Sequence, residues 1–107
     1  MITVHVTYDI DPFKVSEFET YARMWLALVE KWGGVHHGYF LPHEGANHVA
    51  YCLFSFDSLA AYEQYRLNIQ SDDACRAAFE YAEQTRCVRS VSRSFMRPVF
   101  SMATGRE

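Results

Sequence analysis

The apolar residues change period once within the first third of the chain, and that change limits the fold more than any other feature. From Ile2 to Ile10 they alternate. Ile2, Val4, Val6, Tyr8 and Ile10 fall on one side, and Thr3, His5, Thr7 and Asp9 on the other. This is the period of a half-buried strand. From Val15 to Trp32 the spacing becomes 3, 4, 3, 4, 3 through Val15, Phe18, Ala22, Trp25, Val29 and Trp32. That spacing predicts a long amphipathic helix. Asp11-Pro12 reads as an N-cap followed by proline at the first helical position. Gly33-Gly34 ends the helix.

The remaining pattern completes a motif. A strand is expected from about Val35 to Pro42, a turn at residues 43–47 (HEGAN), and a strand from about His48 to Phe56. Ser58 is expected to cap a second helix, and Asp72 or Asp73 a third that runs to about Arg86. A last strand covers about Val88 to Arg97 and is stopped by Pro98. The order is β-α-β-β-α-β, so the chain reads as α+β. A four-stranded antiparallel sheet with helices on one face, the ferredoxin-like plan, follows. Residues 1–100 form one domain, and residues 101–107 read as a flexible tail.

The middle of that sheet predicts a partner. If Tyr39 pairs with Tyr51, then His37, Tyr39, Leu41, Val49, Tyr51 and Leu53 share one face. His36, Gly38, Phe40, Ala50, Cys52 and Phe54 share the other. Both faces are apolar, and helices cover only one. Large side chains left wet forgo roughly 1.5–3 kcal/mol each. A second copy packed sheet to sheet removes that loss, so a homodimer is expected.

Composition excludes several classes. Net charge is −3, and no run of lysine or arginine suggests nucleic acid. No apolar run approaches the roughly 20 residues that span a bilayer, so no membrane association is expected. Three cysteines without CxxC spacing suit a reducing compartment, and a cytoplasmic location is expected.

Four of the five histidines crowd into HHGYFLPHEGANHVAY, residues 36–51. Strand geometry separates them. His36 and His37 point to opposite faces, and His37 lies roughly 20 Å from His43 at about 3.3 Å per residue. His43, Glu44 and His48 remain a weak surface metal candidate. No functional metal and no cofactor are expected. His36 or His37, whichever faces the helices, is the acid–base candidate. His36 is preferred because Gly38, Ala50 and Cys52 beside it are small.

Arg66 sits in the apolar stripe Leu59, Tyr62, Arg66, Ile69, and Arg86 ends a similar stripe in the third helix. A buried guanidinium needs an acid, with Asp9 and Glu63 in view for Arg66, or an anionic ligand such as a carboxylate. Arg86 also suits a helix C-terminus. Tyr39, Tyr51 and Trp25 complete the ligand-binding candidates. Cys52, Cys75 and the ladder Ser90, Ser92, Ser94 lack a base partner or a nucleophile motif.

The stretches GGVHHGYFLPHEGANHVAYCLFSFDSLAAYEQYR, residues 33–66, and TRCVRSVSRSFMRPV, residues 85–99, resemble the short bacterial branch of the NIPSNAP family. The resemblance implies a dimeric α+β barrel. It implies no reaction, because similar barrel folds include cofactor-free monooxygenases, isomerases, haem enzymes and proteins without catalysis, and a haem or metal protein is a further reading that an absorption spectrum tests. Three other readings stay open. They are a homodimer binding a small organic molecule between sheet and helices, a cofactor-independent monooxygenase or isomerase, and a non-catalytic dimerisation module. A void of roughly 300 Å³ lined by His36 and Arg66 marks the first; tight packing with Arg66 paired to an acid marks the last.

Overall fold

The computed structural model describes residues 1–100, so the expected tail lies outside the described residues. The elements are β1 (Ile2–Ile10), α1 (Val15–Lys31), β2 (Val35–Phe40), β3 (Val49–Phe56), α2 (Leu59–Ser71), α3 (Asp73–Thr85) and β4 (Val88–Met96). The four strands form one antiparallel sheet in the order β2-β3-β1-β4. With its helices this is the ferredoxin-like α+β plan. Among the described residues no helix is long and apolar enough to cross a membrane.

The alternation in β1 decides which face becomes core. Val4, Val6, Tyr8 and Ile10 are buried under the helices. In register beside them, Ala50, Cys52, Phe54 and Phe56 of β3 are buried too. Phe18 of α1 is fully enclosed and meets Tyr8 at 5.0 Å and Tyr39 at 5.9 Å between ring centroids. The starts of α2 and α3 are capped as expected. Ser58 Oγ accepts from the Ala61 amide, and Asp72 accepts from the Cys75 amide. Lys31 donates to the same Asp72, which ties the end of α1 to the start of α3.

Three expectations are corrected. First, α1 begins at Val15, not at Pro12. Asp11 Oδ1 accepts from the Phe13 amide at 2.9 Å, so Asp11 makes a tight Asx turn before the helix. Lys14 occupies the cap position and donates its ammonium to the Thr85 carbonyl at the end of α3. Second, the β2–β3 connection is longer than expected, because β2 ends at Phe40 and β3 starts at Val49. Pro42, which has no N–H to give a ladder, stays outside the sheet.

Third, Tyr39 pairs with Cys52, not with Tyr51. A bulge at His37 adds one residue to β2 between the pairs His36–Phe54 and Gly38–Leu53. Gly38 supports it with φ +113, a conformation that side chains with a Cβ avoid. The bulge exchanges neighbours across the sheet. Tyr39 turns to the helices, while Phe40 pairs with Tyr51 and turns outward.

The outer face carries an apolar strip along β2 and β3, where Tyr51 and Phe40 are 42% and 53% exposed and Leu53 and Val49 half-buried, beside Thr3, His5, Thr7 and Asp9 of β1. Ser90, Ser92 and Ser94 lie on this face opposite Asp9, Thr7 and His5.

Candidate functional site

A cavity of about 140 Å³ opens between the sheet and the helices. Its floor is built by period. Val6 and Tyr8 come from β1, Trp25 and Val29 from successive turns of α1, and Tyr65 and Ile69 from α2. Arg66 of α2 and Arg93 of β4 lie at its exposed rim. Arg66 donates to the Tyr62 hydroxyl at 3.0 Å and lies 5.8 Å from that ring's centroid. Neither Asp9 nor Glu63 pairs with it, and among the described residues no carboxylate lines the cavity.

Electrostatically the floor is neutral and protonated. The Tyr8 and Tyr39 hydroxyls lie 3.4 Å apart, and burial pushes both phenols well above their ordinary range. Burial also raises Tyr65, and it raises the Cys52 thiol beneath them to about 11. The charge of the wall near neutral pH therefore comes from the two arginines. Trp25 is buried, and its indole N–H has no hydrogen-bond partner among the described residues.

The candidates taken from sequence divide among several places. Trp25, Tyr39 and Arg66 meet at the cavity. Tyr51 lies on the outer face, with its ring 5.5 Å from that of His5. Arg86 takes a left-handed conformation at the end of α3, φ 58, and borders a shallow depression with Glu83 and Val88. His43, Glu44 and His48 are exposed around the hairpin end, and no metal-binding group of three assembles among the described residues.

His36 faces the helices, stacked 5.0 Å from Tyr39 and 5.6 Å from Phe54, but it does not line the cavity. Its Nδ1 accepts from the Gly38 amide at 2.9 Å, which places the ring proton on Nε2. Burial, and to a smaller extent the charge of His37, lowers His36 to about 4. The ring is thus neutral and its basic nitrogen is already engaged. His37 takes the outer face, where Nε2 lies 2.8 Å from Ser55 Oγ; Ser55 in turn lies 2.7 Å from Thr3 Oγ1.

A depressed histidine predicts acid sensitivity. The unfolded chain takes up this proton near pH 6.5 and the folded chain only near pH 4. Stability from this group is therefore complete above about pH 6.5 and is lost as pH falls to about 4. With allowance for its partial exposure the loss is about 1–2 kcal/mol. In urea unfolding, His36→Gln is expected to flatten the stability profile across that window. An unchanged profile contradicts the buried neutral ring.

Tyr65 and Arg93 are among the cavity residues that lay outside the sequence candidates. Arg93 had a signal, because it alternates with Val91 and Phe95 and pairs with buried Val6.

The NIPSNAP family pattern matches residues 5–102. No curated protein matches the chain. Solved structures share its fold. A NIPSNAP family protein of unknown function from Agrobacterium tumefaciens superposes with a TM-score of 0.79 at 15% identity, covering 92% of this chain and 87% of that one. An uncharacterized NIPSNAP domain protein from Burkholderia xenovorans gives 0.76 at 17% identity, covering 92% and 95%. A putative antibiotic biosynthesis monooxygenase from Nitrosomonas europaea gives 0.70 at 7% identity, covering 94% and 100%. At these identities the superpositions speak for the fold alone. The family pattern, which spans all but the ends of the sequence, makes the chain a member of the NIPSNAP family.

Proposed function

We propose that the chain acts as a homodimer, packed through its outer sheet faces, in which each protomer holds a small organic molecule between sheet and helices. The cavity carries this reading: a neutral aromatic floor beneath arginines that no carboxylate of the described residues neutralises. Its volume is less than half of the roughly 300 Å³ that would mark this reading, and His36 is not in its lining. That limits the ligand and does not remove it, since a cavity of about 150 Å³ admits benzene. A single ring is the fitting size.

Binding is favoured over catalysis by what the wall lacks. A general base needs a group that exchanges a proton near neutral pH. Burial keeps Tyr8, Tyr39 and Tyr65 protonated, and His36 lies outside the wall. The monooxygenase or isomerase reading rests on likeness of fold.

Light scattering at micromolar concentration is expected to give twice the 12.4 kDa chain mass. Ligand-observed NMR with single-ring compounds is expected to yield binders that Ile69→Phe displaces. In a filled core that enlargement costs about 1–3 kcal/mol, whereas here it enters open space and is expected to be tolerated. A folded protein that binds no single-ring compound contradicts the proposal.

A further inference from the structure

Building on the cavity as a binding site, we infer that Arg66 and Arg93 form a two-armed anion clamp at its mouth, and that the ligand is a carboxylate borne on a single ring. The two arms come from opposite layers. Arg66 projects from α2, and Arg93 from β4, where it pairs in register with Val6 of the cavity floor. Both residues are exposed, whereas Val6, Trp25, Tyr65 and Ile69 below them are buried. Charge therefore sits at the opening and apolar surface inside. A ligand that matches this order carries its anionic group at one end and its ring at the other.

Like Lys14, Arg86 and Arg97, the two arginines have no carboxylate partner among the described residues, and they differ from four other cations. Arg23, Lys31, Arg76 and Arg89 each have a carboxylate within 4 Å. Arg66 and Arg93 have none among the described residues, although they border one small opening. Two like charges at one opening both attract an anion seated between them. Arg66 uses one of its five donors, on Tyr62, and the Arg93 side chain makes no hydrogen bond among the described residues. Donors thus remain for the paired contacts that a planar guanidinium makes with a carboxylate. The volume selects the ligand body. At about 140 Å³ the cavity takes a single ring, and the planar guanidiniums at its mouth match a planar carboxylate head.

Arg93 is accordingly a specificity-determining residue, and discrimination between charged and neutral isosteres measures it. Titration calorimetry of the whole chain at low salt would compare benzoate, benzamide and phenyl phosphate. Benzoate is expected to bind at least tenfold more tightly than benzamide, and more tightly than phenyl phosphate. Arg66→Gln and Arg93→Gln are each expected to remove most of that discrimination. Both should weaken benzoate much more than benzamide and leave the circular dichroism of the free protein unchanged. Benzamide binding as tightly as benzoate overturns the clamp and leaves the cavity reading intact. Phenyl phosphate binding best overturns the carboxylate assignment. If none of the three binds, the cavity reading fails and the clamp fails with it.

Discussion

Gly34→Ala is expected to destabilise the protein by about 2–3 kcal/mol, where the same exchange in open backbone stabilises by about 0.4–1 kcal/mol. Packing reverses the sign. A Cβ at Gly34 falls 2.7 Å from Phe56 Cζ and 2.7 Å from Val29 Cγ1. Neither neighbour has room to retreat, because Phe56 is 2% exposed and Val29 1%. The Phe56 ring is further held by Tyr65 at 4.8 Å and Tyr62 at 5.7 Å. Gly34 is where the chain leaves α1 and enters β2, with its amide bonded to the Val29 carbonyl at 2.9 Å. A shift there moves the strand that carries His36 and Tyr39. For a domain of this size the cost lowers the melting temperature by roughly 10–20 °C. Phe56→Leu should relieve the clash, so the double variant should lose less stability than the sum of the single ones by about 1 kcal/mol. A neutral or stabilising Gly34→Ala, measured by urea unfolding, contradicts the close approach.

The fold was legible wherever its signals are local. The alternation of Ile2 to Ile10, the helical spacing from Val15, and the caps Ser58 and Asp72 all depend on residues within a few positions of each other. The bulge at His37 was not legible. It inserts one residue between paired strands, and its partner register lies across the sheet. That single residue moved Tyr39 from the outer face to the cavity. The start of α1 was ambiguous for a different reason. An Asp followed by a proline satisfies the next amides in an Asx turn as well as in a helix cap, and the turn won.

The site was legible in part. Arg66 stood out because a charge interrupts an apolar helical stripe. Arg93 obeys the same logic at period two, between Val91 and Phe95, but a charge on an edge strand ordinarily reads as solvated. Only the register with Val6 turns it toward the cavity. Cavity volume was out of reach, because it depends on how far the helices stand off the sheet. That distance is set by the summed shapes of Phe18, Trp25, Tyr65 and their neighbours and by no single residue.

Leu53→Asp is expected to convert the proposed dimer to a folded monomer. Leu53 lies on β3, one of the two central strands, and its register partners are His5 on one side and Gly38 on the other. It sits among the outer-face apolar residues that include exposed Tyr51 and Phe40. In a sheet-to-sheet dimer this position is covered, and a carboxylate without a full set of partners there costs about 3 kcal/mol. Two-fold symmetry buries the substitution twice. The resulting loss of about 6 kcal/mol weakens association roughly 10⁴-fold, enough to dissociate a micromolar or nanomolar dimer under assay conditions. In a monomer the same change lies on a half-wet face and costs at most about 1 kcal/mol. Leu67→Asp supplies the control, because Leu67 on α2 is 61% exposed on the helix layer, away from the outer face. Light scattering should therefore report the mass of one chain for Leu53→Asp and of two for Leu67→Asp, with circular dichroism unchanged in both. A Leu53→Asp protein that remains dimeric rules out the sheet-to-sheet arrangement, even if the unaltered protein is a dimer.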